Sequence, residues 1–313
     1  MKFRKNLLAL ALVLVLLSLS LAACAPRSEE EQTPAAAEDV VFENGGMQLT
    51  IPAAYADLVV VDAQPEEESV FFSVSEKASV EAGEAVHPGE DWGDGWLFSI
   101  GRVDPAQLKE LRTNDMSGAD VFAKDAEHYY IWYHPTDVRI MREGDITEAD
   151  TAGWTEINEW ANSVRETFVA ENTGLEPVEM TNTELDIHLC RVAYLDDVPF
   201  TISTPASGPL EPGGVDKTPF VEQLLNGVTF EWTDDAEVPD GESVTLALQD
   251  GDMDVRIDFF AADGNVIRVT RTFPDGEETF ADEALYIAHY ADGATVAHDV
   301  MQGWYDALAA ANA

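Results

Sequence analysis

Residues 253–280, MDVRIDFFAADGNVIRVTRTFPDGEETF, decide how this chain is read. Three β-rich runs, Met253 to Phe260, Val266 to Phe273 and Glu277 to Phe280, are separated by Asp263-Gly264-Asn265 and Pro274-Asp275-Gly276. The separators are tight-turn sequences, because Gly and Asn accept positive φ and Pro presets the first turn position. The runs therefore predict an antiparallel meander. Within the first run Met253, Val255, Ile257 and Phe259 alternate toward a core, which leaves Asp254, Arg256 and Asp258 as a solvent face with its own charge pairing.

Working outward, the second half offers further strands at Leu185 to Tyr194, Val198 to Ser203, Val228 to Trp232 and Val244 to Leu248, with a short helix from Asp216 to Leu225. A final helix from about Ala294 carries Val296, Val300, Trp304 and Leu308 at spacings of four. In the first half, Met47 to Ile51, Leu58 to Val61, Val70 to Val74, Trp96 to Ile100, Val121 to Ala123 and His128 to Tyr133 are β-rich. Asp104-Pro105 opens a short helix, as Asp at the N-cap and Pro at N1 dictate. Thr147 caps a longer one in which Trp154, Ile157, Ala161, Val164 and Phe168 recur every three or four residues. Asn172-Thr173-Gly174-Leu175-Glu176-Pro177 has the Asn/Gly then Pro order that ends a helix and marks a domain boundary. The expectation is an α+β protein of two domains, 41–175 and 176–313, each a mainly antiparallel sheet packed by a Trp-bearing amphipathic helix.

The N-terminus has a different character. Lys2, Arg4 and Lys5 precede an apolar core from Leu7 to Leu19, and the run ends in Leu21-Ala22-Ala23-Cys24. This is signal-peptide architecture, and Leu21 to Cys24 resembles the lipobox of bacterial lipoproteins. The resemblance implies cleavage before Cys24, a thioether-linked diacylglycerol on its sulfur and palmitate-type acyl chains at the cell membrane, on the extracytoplasmic face. The rival reading is an uncleaved anchor, but the apolar segment is at the short limit of roughly 17 to 25 residues needed to span a bilayer. Residues 24–40, rich in Pro, Ala, Glu and Ser, read as a disordered acidic tether with a reach on the order of 20 Å.

Charge narrows the partners. The chain holds 60 acidic and 17 basic residues for a net charge of −43, and three of the basic residues lie in the leader. The acidity covers both halves: 27 acids against 8 bases in 41–175, and 28 against 5 in 176–313. Such a field repels nucleic-acid phosphates, anionic headgroups and anionic wall polymers. The partners left open are the membrane through the lipid on Cys24, and a protein, glycan or cation ligand.

Motifs of chemistry are sparse. No Gly-x-Ser-x-Gly, His-Glu-x-x-His, phosphate-binding glycine loop or Cys-x-x-Cys occurs, and nothing points to a cofactor. Cys190 is the one cysteine after Cys24, so no disulfide forms within the mature chain, and in a strand it reads as a small buried side chain. His128 and His134 fall about 20 Å apart on a strand at roughly 3.3 Å per residue; His188 is alone in a strand, His289 has no partner that spacing identifies, and His298 lies off the apolar stripe of the last helix. Asp250, Asp252 and Asp254 match the first ligands of a calcium loop, but Val255 and Ala261 stand where glycine and the bidentate glutamate belong. Asp91, Trp92, Asp94 and Trp96 form a loop of acids, glycines and indoles whose composition suits a cation or a stacked sugar ring, or a turn folding back on the core.

Four stretches, 49–61 (LTIPAAYADLVVV), 95–103 (GWLFSIGRV), 115–125 (DMSGADVFAKD) and 129–143 (YYIWYHPTDVRIMRE), resemble uncharacterised two-domain lipoproteins of anaerobic Gram-positive bacteria. That likeness implies location and fold and no catalytic residue. The expected function is a lipid-anchored extracytoplasmic envelope protein with a binding or structural role. The alternatives are an extracytoplasmic hydrolase working through paired carboxylates, and a calcium- or cation-binding surface protein.

Overall fold

The computed structural model describes residues 38–63, 69–90, 92–114, 116–234, 237–275 and 278–313. Cys24, the lipobox residues Leu21, Ala22 and Ala23, most of the tether and Asp91 lie outside the described residues. Residues Val40–Ala313 form one compact unit. In chain order it contains β1 (Val40–Asn44), β2 (Met47–Ile51), β3 (Val59–Asp62), β4 (Val70–Glu76), α1 (Lys77–Val86), β5 (Trp96–Val103), α2 (Pro105–Leu111), β6 (Ala119–Lys124), β7 (Tyr129–Tyr133), α3 (Glu148–Glu171) and β8 (Glu176–Pro177). There follow α4 (Glu184–Tyr194), β9 (Phe200–Thr204), β10 (Ser207–Leu210), α5 (Thr218–Leu225), β11 (Val228–Thr233), β12 (Ser243–Asp250), β13 (Met253–Phe260), β14 (Val266–Asp275), β15 (Glu278–Tyr290) and α6 (Ala297–Ala311).

The class is α+β with antiparallel pairing. A two-stranded hairpin, β1-β2, precedes a six-stranded sheet ordered β3-β4-β5-β7-β6-β8 and a seven-stranded sheet ordered β10-β9-β12-β13-β14-β15-β11. The meander expected from residues 253–280 is present as β13-β14-β15, with Ile257 opposite Val269 and Phe273 opposite Phe280.

Each sheet buries one face under a tryptophan-bearing helix. Phe72, Val74, Phe98, Ile100 and Trp132 of the first sheet pack against Trp154, Trp160, Val164 and Phe168 of α3. Ile202, Leu246, Ile257 and Val269 of the second sheet meet Leu189, Leu224 and Trp304 from α4, α5 and α6. Each such side chain removed from water contributes roughly 1.5–3 kcal/mol against the entropy of ordering it. Helix starts follow local chemistry: Asp104 with Gln107, Thr147 with Asp150 and Thr183 with Asp186 form reciprocal capping boxes.

The structure corrects three sequence expectations and adds one helix. Residues 184–194 form the helix α4 and not a strand, because the Thr183–Asp186 capping box starts it and Leu185, His188, Leu189 and Val192 then fall on one buried face. Cys190 and His188 are therefore helical. The strand expected to end at Phe280 runs on to Tyr290: its charged centre is tolerated because Asp282 pairs with Arg271 and Glu283 lies 3.8 Å from Arg268 on the neighbouring strand. Asp258 is not on a solvent face but 0 % exposed. Arg256 and Arg268 bracket it and Thr245 donates to it at 2.6 Å, so that long side chains cover the carboxylate. Finally, α1 has no counterpart in the sequence reading, since its buried side is made of Ser79, Ala82 and Gly83 and shows no apolar stripe.

Candidate functional site

The loop after α1 presents the clearest prepared surface. Its backbone turns on Gly93 (φ 68°) and Gly95 (φ 76°), and Gly95 donates from its N–H to Arg139 O at 2.8 Å. A Cβ on Gly95 would lie 2.6 Å from Glu76 O, so only glycine lets the loop approach the end of β4 this closely. The two indoles then diverge. Trp96 is half-buried and donates its Nε1–H to Ser99 Oγ at 3.0 Å, which anchors it to the first sheet. Trp92 turns outward and is 58 % exposed.

Trp92 is nonetheless held. Its ring lies on the His87 imidazole, centroids 4.6 Å apart and planes 9° from parallel. Its Nε1–H donates to Glu90 Oε2 at 2.8 Å, and its carbonyl accepts from Arg139 Nη1 at 3.2 Å. His87 in turn is fixed at the C-cap of α1, its N–H bonded to Gly83 O at 2.7 Å. With one ring face on the imidazole, the exposure of Trp92 belongs mainly to the opposite face. The ring is thus held in one orientation with one face toward solvent. Asp94 does not join it, since its carboxyl lies against Gly83 on α1.

A second polar cluster surrounds Asp250, where the end of α2 approaches α4. Arg191 on α4 donates from Nε to Thr113 O at 2.7 Å and pairs with Asp250, while Arg112 reaches Asp186 at 3.1 Å. A cleft of about 590 Å³ beside them is lined by Glu110, Asn114, Arg191, Gln249 and Asp250 among others. His188 lies beneath, 4 % exposed, with Nδ1 3.6 Å from Asp250 Oδ2 and neither ring nitrogen in a hydrogen bond. That separation is too long for a hydrogen bond. Burial lowers the imidazole to about 4, the attraction of Asp250 being partly cancelled by Arg191 and Arg271. The imidazole is therefore covered and neutral at pH 7.

The three-aspartate cluster does not converge. Asp250 faces Met253 in the hairpin register and turns toward α4, Asp254 faces Gln249 on the opposite side of the sheet, and Asp252 sits in the turn between them. Among the described residues no group of three or more His, Cys, Asp or Glu side chains is placed to hold a metal ion. The buried carboxylates among them, Glu76, Asp186 and Asp258, each face a guanidinium. Burial alone would raise Asp258, but bonds from Arg256, Thr245 and Arg268 outweigh it and hold the carboxyl below its ordinary range. Of the histidines, His289 meets Glu231 at 2.9 Å across strands, and His298 is mostly sheltered beside Asp299. Cys190 is buried and its thiol is pushed up to about 11 by that burial.

Sequence reasoning found the indole loop by composition but not which indole leaves the core. It missed Glu76, Ser79 and Arg142 altogether. The fold and site thus define an α+β protein of antiparallel sheets with one prepared aromatic shelf and a charged junction. No protein-family model matches the chain, and no curated protein or solved structure matches it.

Proposed function

We propose that this chain is a lipid-anchored protein of the extracytoplasmic face of the cell membrane, tied by diacylglycerol on Cys24, and that its folded part has a binding role exercised through Trp92. The observation that carries the binding role is the exposed indole kept in one orientation by His87, Glu90 and Arg139. The leader, the lipobox likeness and the acidic tether support the anchor, and no described helix is long and apolar enough to cross a membrane.

Two measurements test the two parts separately. Metabolic labelling with an alkyne fatty acid should mark the wild-type protein and not Cys24→Ser, and equal labelling of both removes the anchor. A photo-reactive amino acid at position 92 should cross-link to one recurrent species in cells. Recovery of only abundant unrelated surface proteins, matching a probe at the remote position 252, removes the binding role.

A further inference from the structure

Resting on the binding role of Trp92, we infer that the group seated on its open face is a cation, the guanidinium or ammonium of a basic polypeptide segment. The ring itself restricts the choice. Its polar edge is already occupied, because Nε1–H donates to Glu90, so a ligand meets a π-face without a free donor. A sugar ring needs hydrogen-bond partners around the stacking face, whereas a cation needs only the electron-rich face and nearby negative charge.

The surroundings supply that charge. Glu90 holds its carboxylate at the ring edge, and Glu84 accepts from the Gly89 N–H in the same loop. The adjacent guanidinium, Arg139, is committed to Asp137 Oδ1 at 2.6 Å and to the Trp92 carbonyl, so it leaves the ring face open to a second cation. Over longer range the net charge of −43 attracts basic partners and raises their encounter rate. Trp is the strongest cation acceptor of the aromatic side chains, and a planar guanidinium stacks on it well.

The test uses the full-length lipoprotein in detergent micelles at about 0.15 M salt, where exposed charges more than roughly 8 Å apart are screened. The probes are a glycine-arginine hexapeptide, the same peptide with citrulline for arginine, and chitotriose. The arginine peptide should bind, Trp92→Ala should weaken it about five- to tenfold, Trp92→Phe should recover part of the loss, and the citrulline peptide should bind no better than buffer. Asp252→Asn, which removes one negative charge elsewhere, should leave the affinity within twofold. Equal peptide affinity in wild type and Trp92→Ala overturns the cation assignment. Chitotriose binding that depends on Trp92, without peptide binding that does, overturns the ligand class and keeps the site; dependence of neither probe on Trp92 removes both.

Discussion

Arg142 grips Glu76 with two parallel hydrogen bonds, Nη2 to Oε1 at 2.8 Å and Nη1 to Oε2 at 2.9 Å, across 66 positions of sequence. The same guanidinium reaches Asp150 Oδ1 at 2.8 Å from Nε, and Ser79 joins the group through both Glu76 and the Met141 N–H. One side chain thus ties the end of β4 to the first turn of α3. Glu76 and Arg142 are both largely removed from water, so each depends on the other for compensation.

Replacing Arg142 by Leu should therefore lower unfolding free energy by about 3 kcal/mol, since it strands a buried carboxylate. The double variant Arg142→Leu with Glu76→Gln should recover part of that loss. Urea unfolding of the three proteins measures it, and a loss below about 1 kcal/mol for the single variant contradicts the role assigned to the pair.

His188 makes stability depend on pH in one direction. Its folded-state value of about 4 lies below the ordinary histidine value near 6.5, so on acidification the unfolded chain binds the proton first. The contribution is complete above about pH 6.5 and is lost progressively as pH falls toward 4, by up to roughly 3 kcal/mol. Asp250, Arg191 and Arg271 are the charged groups that face it. In His188→Phe the stability difference from wild type should shift by most of that amount between pH 7 and 4.5; parallel curves would show that His188 titrates normally.

Gly95 couples the aromatic shelf to the first sheet. Gly95→Ala places a methyl group 2.6 Å from the Glu76 carbonyl at a φ of 76°, and an L-residue there is strained by about 1–3 kcal/mol. Thermal unfolding should register the loss, and the emission of the exposed Trp92 should change as the loop shifts. Gly89→Ala, with positive φ but no neighbour within 4 Å, should cost less. An equal loss at the two glycines would show that the close approach to Glu76 is unimportant.

Cys190 should resist thiol reagents in the folded protein. It is fully covered, and burial raises the thiol to about 11, so almost no thiolate is present at pH 7. Ellman's reagent should react with Cys190 in urea and essentially not without it. Prompt native-state reaction would mean that α4 opens readily.

Much of this fold was legible because its signals are local. The Asp104 and Thr147 caps, the run from Trp154 to Phe168 at helical spacing, the turn at Asp263 before Val266 and the alternation of Val255, Ile257 and Phe259 act within a few residues. Residues 184–194 misled because Leu185, Ile187 and Leu189 alternate as a strand would, while the decisive signal was the Thr183–Asp186 cap one step upstream. The shelf was legible only as composition: acids, glycines and two indoles marked the loop without saying which ring would leave the core.

By itself the sequence determined the antiparallel α+β class and the excess of acidic over basic residues in both halves, and it motivates the proposed anchor through Leu21 to Cys24. Tertiary structure alone decided that Asp258 lies at 0 % exposure between Arg256 and Arg268, that Arg142 finds Glu76, and that Trp92 rests on His87 while Trp96 bonds Ser99. The division has a physical cause. Caps, turns and periodicity are set by backbone geometry over one or two turns of chain, whereas burial of a charge or exposure of a ring depends on which distant strand or helix arrives beside it.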